Sequence, residues 1–185
     1  MSGLKRKGVV VVTAAIACFV SVPAQATMSC WNETQVAAAK VRNLQSRLMV
    51  ATLRCQGLGL DITGAYNRFV VANRTTIQGA NNVIMAQFRA GVGRDAQRHY
   101  DSFATSLANA YGGDATDRAI CAQTAMVADE AAGAGGDIDR LVALETRLGV
   151  MPALPGGQCG VSFDEAQASP VAAAAKAPGL ETWHR

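Results

Sequence analysis

Lys40, Arg47 and Arg54 recur every seven residues. On a helix that spacing lines three cations along one face. Such a face stays solvated, pairs with acidic helices, or holds an anionic ligand, and the three residues are candidate anion-binding groups. Asn73 joins them for a different reason, because it is a polar residue where the surrounding pattern expects an apolar one. A polar group in an apolar seam fixes register, meets a partner side chain, or lines a pocket.

Other chemistry lacks its usual residues. The histidines are His99 and His184, too few for a histidine-rich zinc or copper site. Cys-x-x-Cys, with or without a following His, does not occur, nor does Gly-x-Ser-x-Gly, a phosphate loop or a dinucleotide fingerprint. Gly57-Leu58-Gly59 and Gly91-Val92-Gly93 fall between helical stretches and read as helix stops. The pairs Asp114/Asp117, Asp129/Glu130 and Asp137/Asp139 do not match the ligand spacing of a calcium loop. Asp114, Asp117, Asp137 and Asp139 suit helix starts instead. No metal and no organic cofactor is expected.

The elements that carry these residues read as helices. No proline lies between Pro23 and Pro152, which permits long helices. The first runs from about Glu33 to Gln56, with a seam of Ala37, Val41, Leu44, Leu48, Ala51 and Cys55. The second is expected over Ile62 to Ala90, started by Asp61, with Tyr66, Phe69, Asn73, Ile77, Ala80, Ile84 and Phe88 along its seam. The third spans about Asp95 to Tyr111. The fourth starts near Asp117, is broken by the glycine-rich stretch 131–136, and restarts at Asp137 with Ile138, Leu141, Leu144 and Leu148 on one face. The fold expected is all-α: an antiparallel bundle of about four helices.

The start of the chain reads as a secretory leader over 1–26: Lys5-Arg6-Lys7, an apolar run from Val9 to Val22, then Ala24-Gln25-Ala26 as the cleavage site. Cys18 follows Ala15-Ile16-Ala17 but lacks the leucine of a lipoprotein box, so no lipid anchor is expected there. Residues 27–165 form the helical domain. Residues 166–185, rich in alanine with few large apolar groups, read as a disordered tail. Four cysteines remain beyond the leader, and an oxidising compartment favours their pairing. Alternating up-and-down helices put Cys55 near Cys121 and Cys30 near Cys159, which gives two predicted disulfides.

Lys5, Arg6 and Lys7 account for the whole net charge of +3. A domain without net charge makes a poor nucleic-acid binder. The balance is uneven, basic before Gly112 and acidic after it, as helices from the two halves would be if they paired. Arginine far outnumbers lysine beyond the leader, alongside much alanine and glycine, a composition typical of GC-rich bacterial genomes. The leading expectation is a non-catalytic periplasmic or secreted bacterial protein that acts through a protein partner in the cell envelope. It has no transmembrane helix after leader cleavage. The alternative is a small helical enzyme or small-anion binder that uses the Lys40, Arg47 and Arg54 face or Asn73. A filled core favours the first; a pocket lined by Arg47, Asn73 and a carboxylate favours the second.

Overall fold

The computed structural model describes residues 28–149 and 151–160. The expected leader with Cys18 and the expected disordered tail lie outside the described residues. Within them the chain forms six α-helices: α1 (Glu33–Gly57), α2 (Thr63–Ala72), α3 (Arg74–Val92), α4 (Ala96–Ala110), α5 (Arg118–Ala132) and α6 (Ile138–Arg147). A 3-10 turn, Gly93–Asp95, leads into α4. The described residues contain no β-strand, only an isolated parallel bridge between Trp31 and Gln158. No described helix is long and apolar enough to cross a membrane.

Short polar side chains set the helix starts. Asn32 caps α1 by accepting from the Gln35 N–H, while the Gln35 side chain accepts from the Asn32 N–H. Asp117 accepts from Ile120 N–H at α5, and Asp137 accepts from Asp139 and Arg140 N–H at α6. Asp61 accepts from Thr63 N–H just before α2.

The expected continuous second helix is two helices, divided at Asn73. The Asn73 side chain is fully buried and belongs to a junction of four elements. Its Nδ2 donates to the Phe69 carbonyl at 2.9 Å and the Ala131 carbonyl at 2.8 Å. Its Oδ1 accepts from the Gly136 N–H at 2.8 Å. One side chain thus ties the α2–α3 break to the α5–α6 turn. Gly135 and Gly136 have φ of 61° and 91° in that turn, a region that disfavours side chains.

α1 packs against each of the other five helices. It therefore buries more than the single stripe expected of it. Ala38, Ala39, Asn43, Ser46 and Thr52 are buried along with Val41, Leu44, Leu48 and Cys55. Small residues on the additional faces let neighbours approach closely, and Asn43 finds a partner on α6 by donating to Glu145, whereas Thr52 donates to the Leu48 carbonyl of α1 itself.

At one end of the core Trp31 lies fully buried against Phe88 and Phe103, with ring centroids 5.9 and 5.5 Å away. Trp31 also holds the last described segment. Its N–H donates to the Gly157 carbonyl, its indole N–H to the Pro155 carbonyl, and its carbonyl accepts from Cys159 N–H. The Cys30–Cys159 disulfide lies beside this clasp, and Cys55–Cys121 joins the end of α1 to α5. Gly156 makes the clasp feasible. It has φ of +85°, and a Cβ there would lie 2.6 Å from the Met28 carbonyl oxygen.

Candidate functional site

The three cations of the α1 face go to different places. Lys40 Nζ donates to Thr146 Oγ1 at 3.0 Å, so it reaches α6. Arg47 Nη1 donates to the Leu148 carbonyl at 3.2 Å, just past α6, and the guanidinium sits 5.8 Å from the Tyr111 ring centroid. Arg54 bonds Thr116 Oγ1 at 2.6 Å and the carbonyls of Gly112 and Asp114, and so clips the α4–α5 loop. Asn73 belongs to the separate junction described above. The structure brings together Lys40 and Arg47 but not Arg54 or Asn73.

What gathers Lys40 and Arg47 is Glu145. Its residue exposure is 0%, on the same face of α6 as Leu141 and Leu144. Asn43 Nδ2 donates to Glu145 Oε1. The other carboxyl oxygen, Oε2, has no hydrogen-bond partner among the described residues, and neither does the buried hydroxyl of Ser46. Burial pushes the Glu145 carboxyl up to about 7, against the pull of the Asn43 hydrogen bond and of the Arg47 and Lys40 charges. Burial, followed by the neighbouring Glu145 charge, pushes the Tyr111 phenol up to about 12. An unpartnered buried oxygen is far less costly on a neutral carboxyl than on an ionised one.

Arg47 also faces outward. A cleft of about 350 Å³ is lined by Arg47, Leu48, Asp114, Ile120, Thr124 and Leu148, with Gln123 and Val127 alongside. Its volume falls in the range of small-molecule sites. Among the described residues Arg47 is its only lining cation, and Glu145 and Tyr111 are not part of that lining. A second cleft of about 410 Å³ lies between Phe88, His99, Phe103 and the segment from Ala153 to Pro155. His99 stacks on Phe88 there, and no lysine, arginine or carboxylate is among the described residues that line it.

The acidic pairs divide between helix starts and ion pairs. Asp117 and Asp137 cap helices, Asp129 pairs with Arg68 at 2.7 Å, and Glu130 pairs with Arg147 at 2.6 Å. Among the described residues no group of three or more His, Cys, Asp or Glu side chains could hold a metal ion. Glu145 is the residue that sequence reasoning missed. The signal was available, since Leu141, Glu145 and Leu148 recur at helical spacing and put a carboxyl on an apolar face. Comparison with protein families, curated proteins and solved structures finds no match for this chain.

Proposed function

We propose that the protein binds a small organic monoanion in the Arg47 cleft. The observation that carries this reading is the cleft itself, whose described lining holds one guanidinium among apolar walls of Leu48, Ile120, Val127 and Leu148. A single cation suits a single carboxylate, because guanidinium and carboxylate match as a two-bond fork. Asp114 on the lining opposes a second negative group. The apolar walls suit an apolar body. The role is binding rather than catalysis, because Glu145, the carboxyl that burial moves toward neutral pH, is not among the described residues that line the cleft.

Benzoate is a suitable probe. In two-dimensional NMR of the disulfide-bonded protein, benzoate is expected to shift the amides of Arg47, Gln123, Thr124 and Val127. No saturable shift at these positions would remove the reading.

The second reading is a surface for a protein partner in the cell envelope. Val71 on α2 and Met126 on α5 favour it: they are 75% and 66% exposed on two helices that pack together. Singly exposed apolar side chains are common on protein surfaces, so this reading stands second. Two disulfides support an oxidising compartment, and a bacterial periplasm or exterior is the location proposed on composition. If α2–α3 and α5–α6 each count as one interrupted helix, an antiparallel bundle of about four helices is our reading of the architecture. The shared junction at Asn73 supports it.

A further inference from the structure

We propose that Cys30–Cys159 is a redox latch: a dithiol of the thiol–disulfide exchange class opens it while Cys55–Cys121 stays closed, and opening frees the 151–160 segment from Trp31. The inference is independent of the Arg47 cleft. Its basis is the contrast between the two bonds. Among the described residues Cys30 and Cys159 are exposed, whereas Cys55 is 0% and Cys121 2% exposed. Exchange begins when a thiolate reaches a disulfide sulfur, so access separates the two rates, and exposed bonds are the labile ones.

What the two bonds hold differs as well. Cys55–Cys121 joins two helices inside the core. Cys30–Cys159 ties down a non-helical segment. Trp31 adds three hydrogen bonds to that segment. Its N–H donates to the Gly157 carbonyl at 2.8 Å and its indole N–H to the Pro155 carbonyl at 2.8 Å, and its carbonyl accepts from the Cys159 N–H at 2.9 Å. Pro152 is buried, and Leu154 packs against the core. Three hydrogen bonds, each modest net of water, and two apolar side chains stand against the conformational entropy of the whole segment. The covalent bond tips that balance, because it keeps the end of the segment beside Trp31. Once it is cut, Leu154 and Pro155 withdraw from Phe88, His99 and Phe103, with which they line the second cleft. The ring cluster of Trp31, Phe88 and Phe103 then meets water.

The chemistry balances as a two-electron exchange. A thiolate of the dithiol attacks one latch sulfur, the Cys30–Cys159 bond breaks, and the other cysteine leaves as a thiolate. The second thiol of the dithiol then attacks the mixed disulfide and releases the remaining cysteine. The dithiol ends as a disulfide, and its two protons end on Cys30 and Cys159.

The test is reduction of the oxidised, folded protein by low concentrations of dithiothreitol, with alkylation and peptide mapping over time. Cys30 and Cys159 are expected to be alkylated at least about tenfold faster than Cys55 and Cys121, from the difference in access. Equal rates, or earlier alkylation of Cys55 and Cys121, overturn the proposal. Hydrogen exchange then reads the opening, in the singly reduced wild type and in the double variant Cys30→Ser, Cys159→Ser. The Trp31 and Gly157 amides are expected to exchange at least about tenfold faster than in the oxidised protein, while the buried Leu44 amide in α1 keeps its protection. Unchanged exchange at Trp31 shows that the hydrogen bonds hold the segment without the bond, and overturns the latch. Lost protection at Leu44 shows that the bond holds the whole fold, and overturns it too. Should the variant fail to fold, the singly reduced wild type decides by the same amides.

Discussion

At the scale of the residue, the buried Glu145 carboxyl links pH to stability. Its native carboxyl sits at about 7, against 4.5 for the ordinary side chain. Between those two values the native state holds a proton that the unfolded chain has released. The stabilisation is therefore full below about pH 4.5, falls as pH rises toward 7, and is gone above it, a change on the order of 3 kcal/mol. Glu145→Gln keeps the shape and the Asn43 contact without the ionisation. Between pH 5 and pH 8 the wild-type Tm is expected to drop by about 5–10 °C more than that of the variant, as thermal unfolding by circular dichroism would record. Equal pH profiles would show that Glu145 ionises freely in the fold. Arg47→Gln is expected to raise the Glu145 midpoint further, because a stabilising cation is lost, and to weaken benzoate binding at least tenfold at pH 6, within the range for charge-assisted hydrogen bonds. The cations of this site were legible in sequence from their sevenfold spacing. Their partners were not, because Asn43, Tyr111 and Glu145 meet only through the packing of α1, α6 and the end of α4.

At the scale of the element, the Asn73 junction determines how α2, α3, α5 and α6 meet. Removing its side chain leaves the Ala131 carbonyl and the Gly136 N–H without their partner. Asn73→Ala is expected to cost about 2–5 kcal/mol in denaturant unfolding, and to speed hydrogen exchange at the Gly136 amide specifically. Unchanged exchange at Gly136 would show that the backbone finds another partner. The ends of α1 were legible, with Glu33 to Gln56 expected and Glu33–Gly57 observed, because the cap, the seam and the glycine stop are all local. The break at Asn73 was not legible. The seam runs on through it, and the atoms that satisfy Asn73 come from some sixty residues downstream. Asn73 was recognised as a polar intruder, but sequence alone could not tell a helix junction from a pocket wall. Cys55–Cys121 holds α1 to α5 across a separation of 66 residues. Replacing both cysteines with alanine is expected to cost roughly 2–4 kcal/mol by the loop-closure argument, measured by the same unfolding experiment.

At the scale of the whole molecule, the basic and acidic halves meet at Arg68–Asp129, an exposed pair that is worth little on its own. The uneven charge was visible in sequence, but the centrality of α1 was not, because its five neighbours are set by tertiary packing. The Cys30–Cys159 bond spans 129 residues and encloses every described helix. Its consequence is mechanical. Tension applied to the chain before Cys30 and after Cys159 passes from sulfur to sulfur, and none of it enters a helix. The oxidised protein should behave in a force spectrometer as a short inextensible link. With both disulfides reduced, the same pull should release up to about 430–460 Å of chain, from the extended length per residue. A rupture step at helix-unfolding force in the oxidised protein would show that the load takes another path.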